Sequence, residues 1–154
     1  MTVPRITGVQ LSDPSNGPLL LLGPSIGTSV GALWSACAAQ LTEFHLVGWD
    51  LPGHGSNAHV GEPFTIAELA AGVLQLADGV LDERAEAGGA FHYAGDSVGG
   101  AVGLQLLLDA PDRVRQAAVI CTGAQIGDPS MWSERAAKVR ASGTPVMVTG
   151  SAER

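Results

Sequence analysis

Apolar positions in this chain alternate between two arrangements: short continuous runs, and longer stretches where they recur every three or four residues. The run Leu19 to Leu22 is uninterrupted, as expected of a strand buried on both faces. "FHLVGWD" and "AFHYAG" read as further strands, and "QAAVICTG" as another buried one. An extended run at the start, "RITGVQ", is joined to Leu19 by the turn-rich "SDPSNGP", which predicts a hairpin between the two.

Helices are predicted between these runs. Leu33, Trp34, Cys37, Ala38 and Leu41 recur at helical spacing. "TIAELAAGVLQLADGVLDERAEAG" has Thr65 as N-cap and Glu68 completing a capping box. "VGGAVGLQLLLDAP" is stopped by Pro111, and Asp128 with Pro129 opens a last helix, "SMWSERAAKVRAS". Strands alternating with helices at this rhythm predict an α/β protein with a mainly parallel sheet and flanking helices. No repeat, low-complexity tract or linker divides it.

Composition narrows the class. With 154 residues, 45% hydrophobic and 15% charged, the chain has the make-up of one globular domain. A net charge of −7 argues against nucleic acid as a partner, because such proteins carry a basic footprint. No signal pattern opens the sequence and no apolar run reaches the roughly 18 residues a membrane span needs, so the expectation is a cytoplasmic chain with no membrane partner. Cys37 and Cys121 lie in apolar surroundings without metal-like spacing, which predicts buried thiols.

The chemistry centres on "AGDSVGG". Ser97 stands between Gly95 and Gly99, after a strand and before a helix. Parallel sheets place reactive groups at the carboxyl ends of their strands, and a tight turn there exposes a serine hydroxyl as a nucleophile. The helix N-terminus aims the Val98 amide at the same spot, where it would stabilise an oxyanion. A second amide is expected from the loop after the first buried strand, at Ser25 with Ile26 as the alternative; Ile26 is also a candidate substrate contact. A nucleotide site is not expected: GxGxxG is absent from this turn, and no phosphate-binding GxxxxGK loop occurs.

Together "LLLLGPSIGTS", "WDLPGHGSN" and "HYAGDSVGGAVGLQLLLDAPDRV" resemble the α/β-hydrolase family, in order and spacing. "CTGAQIGDPSMWSERAAKVRASG" and the "LGPSIGTS" loop are similar to the 3-oxoadipate enol-lactonases, although relatives often carry an arginine in the loop that here reads "LPGHG". The resemblance implies hydrolysis of 3-oxoadipate enol-lactone to 3-oxoadipate, in aromatic-compound catabolism, without metal or organic cofactor. It also implies that residues 1–128 form the N-terminal part of the core and residues 129–154 begin a helical cap.

That family orders its triad as serine, acid, histidine, and no histidine follows Ser97 here. His92, on the strand leading to Ser97, lies roughly 16 Å away at ~3.3 Å per residue. His45 begins a strand at the far edge, and His59 sits in a polar loop. His54, in "PGHGS", is on a loop at the correct edge and stays a candidate base. Asp50 and Asp96 are carboxylates near the site with no histidine to orient. "TPVMVTG" reads either as the next core strand, with Glu153 near the acid position, or as part of the cap.

The expectation is therefore a sheet that stops before the last strands of that fold, and a chain carrying nucleophile and oxyanion hole without the base. Its partners would be a small-molecule lactone or ester, a complementary polypeptide supplying the missing half, or a self-associated copy. A non-catalytic half-protein and a carboxylic-ester hydrolase of other specificity remain alternatives. Arg135, Lys138, Arg140 and Arg154 would meet a dicarboxylate or form an exposed basic stripe, and Glu134 with Lys138 makes an (i, i+4) pair on a solvated face. Trp34, Trp49 and Trp132 are expected as core or cap-packing residues.

Overall fold

The computed structural model describes residues 2–58 and 61–147. Two compact units make up the chain, Met1–Ala124 and Gln125–Arg154.

In the first unit the elements are β1 (Gly8–Gln10), β2 (Leu19–Gly23), α1 (Val30–Ala38), β3 (His45–Trp49), α2 (Ile66–Glu83), β4 (Phe91–Asp96), α3 (Val98–Asp109), a 3₁₀ turn (Pro111–Arg113) and β5 (Val114–Ile120). They form one sheet in the order β1-β3-β2-β4-β5, parallel except for β1, which runs antiparallel to β3.

Alternation along β2 divides the core. Leu19 and Leu21 face a cluster with Leu69, Val73, Ala77 and Leu81 of α2 and Val102 and Leu106 of α3. Leu20 and Leu22 face the opposite side, against Val30, Trp34 and Ala38 of α1. Each such leucine contributes about 2 kcal/mol by leaving water. All five residues of β2 are buried, as the unbroken apolar run predicts.

The predicted hairpin does not form. Both edges of β2 are taken, by β3 and β4, so β1 pairs instead on the outer edge of β3, with Gly8 opposite Trp49. The capping box is present: Thr65 accepts from the Glu68 amide at 3.1 Å and Glu68 accepts from the Thr65 amide at 2.9 Å.

Other expectations of burial are corrected. On α1 the buried stripe is Val30, Trp34 and Ala38, which turns Leu33 and Cys37 toward solvent. β5 is buried only at Val114 and partly at Ala117, because among the described residues β4 alone pairs with it. Val119 and Ile120 are 40% and 41% exposed, and Cys121 beyond them is exposed with φ of 49°.

In the second unit α4 (Pro129–Ser142) is capped by Asp128, which accepts from the Ser130 amide at 2.8 Å, with Pro129 in the first turn. Hydrogen bonds from the Ser130 hydroxyl, and secondarily from the Ser130 amide, hold the Asp128 carboxyl below the usual aspartate range. The Arg135 guanidinium lies 5.3 Å from the Trp132 ring centroid. Glu134 and Lys138 are exposed, as expected of a solvated face, but form no ion pair among the described residues. Val146 and Met147 are helical; Glu153 and Arg154 lie outside the described residues, as does His59.

Candidate active site

The sheet topology itself creates a crevice. From β2 the chain passes through α1 toward β3, and from β4 through α3 toward β5, so the connections leave two adjacent strands in opposite directions. Ligands of open α/β sheets sit at the carboxyl ends of such a strand pair. Gly23 and Gly95 are in register at those ends, followed by the Pro24 loop and by Ser97.

Ser97 joins β4 directly to α3, with φ of 52° and ψ of −112°. A side chain in this region is strained by about 1–3 kcal/mol and persists only when its surroundings fix it. Those surroundings are close. The Ser97 amide donates to Ile120 O at 2.8 Å and the Gly99 amide to Pro24 O at 2.9 Å. A methyl group at Gly95 would run into the Gly99 carbonyl, and one at Gly99 would lie 2.6 Å from both the Gly23 carbonyl carbon and Pro24 O. The two glycines of "GDSVG" are thus required by backbone approaching backbone.

The Ser97 side chain makes no capping bond to α3, and the residue is half-buried. Val98 contributes the first amide of α3, which has no intrahelical acceptor. In the opposite loop Ser25 is half-buried and Ile26 is 42% exposed. Among the described residues the Val98, Ser25 and Ile26 amides have no acceptor, whereas Gly27 donates to His54 Nε2 at 3.1 Å. Open amides at the start of α3 and in the loop that Gly99 contacts are suited to a developing negative charge beside Ser97.

His54 is positioned as a brace between two loops. Its Nε2 accepts from Gly27, so in the neutral ring the proton is on Nδ1, which faces Pro52 O at 3.2 Å. Both nitrogens are occupied, and neither is directed to Ser97. His45 lies at the opposite end of the sheet, where its Nδ1 accepts from the Ser15 amide at 3.3 Å, and His92 packs edge-on against Phe44.

Asp50 is a structural carboxylate that sequence reasoning left as a loose candidate. It is 2% exposed. Oδ1 accepts from the Val30 amide at 2.7 Å, while Oδ2 accepts from the Ser56 amide and hydroxyl at 2.9 and 3.2 Å. It therefore caps α1 and folds the 51–57 loop back on β3. Asp96 ends β4, half-buried beside Ile120. Trp34 is a core residue, its Nε1 donating to Gly23 O at 2.9 Å, and Trp49 is fully buried. Among the described residues no group of three or more His, Cys, Asp or Glu side chains could hold a metal ion, and no helix is long and apolar enough to cross a membrane.

Comparison with known proteins agrees with this architecture. Residues 18–142 match the family model described as the α/β-hydrolase fold. The chain belongs to the α/β-hydrolase family. It is 30% identical over 150 residues to 3-oxoadipate enol-lactonase 1 of Acinetobacter baylyi, covering 97% of this chain and 54% of that protein. The crystal structure of the enol-lactonase from Burkholderia xenovorans LB400 superimposes with a TM-score of 0.81 at 28% identity, covering 97% of this chain and 55% of that one. The carboxylesterase CesB of Bacillus subtilis gives 0.66 at 27%, covering 85% and 45%. This α/β-hydrolase chain spans about half the length of those relatives.

Proposed function

We propose that this chain carries the nucleophile and oxyanion hole of a serine hydrolase acting on carboxylic esters, with 3-oxoadipate enol-lactone as the substrate and 3-oxoadipate as the product. The observation that carries this reading is the backbone of Ser97: a non-glycine residue held at φ of 52° where a strand turns directly into a helix, with open amides at the adjoining Val98 and in the loop tied to Gly99.

The chemistry is acyl transfer. Ser97 Oγ attacks the lactone carbonyl carbon while a base takes its proton, and the Val98 and Ser25 amides hold the oxyanion. Collapse of the tetrahedral intermediate expels the enol oxygen, opening the ring and leaving an acyl-enzyme. Water then cleaves the acyl-enzyme and frees Ser97. Ile26 borders the acyl group, and residues 129–154 begin the helical cap segment of such an enzyme. No metal or organic cofactor enters these steps.

Both His54 nitrogens are engaged away from Ser97, and association with a complementary polypeptide that carries a histidine and its acid partner would complete the site. Support for such association is the outer edge of β5, which presents apolar Val119 and Ile120 without a strand partner among the described residues. The preference for the enol-lactone over other esters rests on the likeness to the Acinetobacter and Burkholderia enzymes.

Hydrolysis of the enol-lactone, followed by its absorbance, tests the reading. The chain is assayed alone and with a separately produced C-terminal half of the Acinetobacter enzyme, alongside Ser97→Ala. Turnover that appears on mixing and is lost in the variant supports the proposal. Equal turnover by wild type and variant overturns it, and turnover of simple esters but not the lactone supports a hydrolase of other specificity.

A further inference from the structure

Beneath the serine turn a tyrosine reaches the same residue that the oxyanion loop uses. Tyr93, four residues before Ser97 on β4, is 1% exposed and points into the core on the side of α2 and α3. Its hydroxyl donates to Gly99 O at 2.8 Å, and the Gly99 amide donates to Pro24 O at 2.9 Å. One residue, Gly99, is therefore fixed from below by the tyrosine and fixes the loop of residues 24–27 in turn. Val98 immediately precedes Gly99, and Ser25 immediately follows Pro24.

The space for this tyrosine is made by three glycines. A methyl group at Gly103 would lie 2.8 Å from Tyr93 Cε1, one at Gly23 would run into the Tyr93 hydroxyl, and Gly99 itself sits against Gly23. Phenylalanine would fill the same volume and lose only the hydroxyl. Burial pushes the tyrosine hydroxyl well above its ordinary range, so it remains protonated and serves as a donor at any pH at which the protein is folded.

We propose that Tyr93 is a positioning residue for the oxyanion hole, setting the Ser25 amide against the Val98 amide through Gly99. The proposal rests on the reading of Ser97 as nucleophile. Tyr93 touches no reacting atom. It acts by keeping two amides from different loops at a fixed separation, which the stabilisation of an oxyanion requires because donors must be in place before charge develops.

Native-state amide hydrogen exchange by NMR on the chain and on Tyr93→Phe tests this without requiring chemistry at Ser97. In the variant the Gly99 amide, and the Gly27 amide of the loop it holds, are expected to exchange at least about fivefold faster, with Val73 and Leu81 of α2 unchanged. Exchange at Gly99 and Gly27 that is unaltered, or that rises only in step with α2, overturns the proposal. In the wild-type chain the Tyr93 hydroxyl proton is expected as a resolved, slowly exchanging resonance; one averaged with water overturns the hydrogen bond itself, whether or not the variant folds. Modification of Ser97 by a fluorophosphonate should slow in Tyr93→Phe by a factor similar to the change in exchange. A wild-type Ser97 that never reacts contradicts the nucleophile reading, while exchange at Gly99 and Gly27 still decides whether Tyr93 holds the loop.

Discussion

The Nε2 atom of His54 accepts the Gly27 amide at 3.1 Å, tying the loop after β3 to the loop that follows β2. That bond places the histidine beside the candidate oxyanion hole yet occupies the nitrogen a general base would use.

His54→Phe is therefore expected to loosen the 24–29 loop without abolishing the chemistry of Ser97. Loss of one neutral hydrogen bond corresponds to about 1 kcal/mol. The Gly27 amide should exchange several-fold faster, and fluorophosphonate modification of Ser97 should slow by less than about tenfold. If modification falls instead to the level of Ser97→Ala, His54 is the base and the brace assignment is wrong.

Asp50→Ala removes a buried carboxylate that accepts from the Val30 and Ser56 amides. Leaving the buried Val30 amide unpaired and the 51–57 loop untied should destabilise the fold by about 3 kcal/mol, read as a lower urea midpoint. Ser56→Ala keeps the amide bond and loses only the hydroxyl contact, so its cost should stay below about 1 kcal/mol. Equal effects of the two variants would contradict the role assigned to Asp50.

Gly99→Ala tests the backbone contact at the serine turn. Its methyl group would lie 2.6 Å from the Gly23 carbonyl carbon and from Pro24 O, both backbone atoms. Overpacking of this kind costs about 1–3 kcal/mol. The variant is expected to lose thermal stability and Ser97 reactivity together, checked by a melting scan and by probe labelling on the folded fraction.

Stability should also depend on pH through His45. Burial, and secondarily the nearby Arg84 guanidinium, lowers its pKa, with Glu86 opposing. The unfolded chain then binds a proton that the folded chain resists, so this contribution is present above the ordinary value of about 6.5 and is lost as pH falls through the lowered one. The urea midpoint should fall between about pH 6.5 and roughly pH 5, where ordinary carboxylates begin to titrate. His45→Asn, which retains an acceptor for the Ser15 amide, should flatten that slope; an unchanged slope would assign it to other groups.

Much of this architecture is legible in local pattern. The leucine run of β2, the Thr65–Glu68 capping box and Pro129 at the start of α4 each encode their element within a few residues. Ser97 is legible for the same reason, since the glycines that permit its turn lie two residues to either side. Strand order is different. "SDPSNGP" signals a reversal, but nothing local specifies that β3 will lie between β1 and β2. The helical spacing of Leu33 and Cys37 matched that of the buried stripe, yet the stripe runs through Val30, which lies one turn ahead of Trp34. Tyr93 is legible as a core residue of β4, whereas its hydroxyl partner on Gly99 depends on the turn that brings α3 back over the strand.

The central claim is that Ser97 is a nucleophile held in an oxyanion-stabilising turn. The most direct measurement treats the purified chain with a fluorophosphonate and maps the adduct by mass spectrometry, with Ser97→Ala in parallel. Because open amides at the turn would bear the negative charge that develops as the adduct forms, a single adduct on Ser97 is expected, forming faster than at any other serine and absent from the variant. Adducts scattered among other serines, or an unmodified Ser97 after prolonged exposure, would contradict the account.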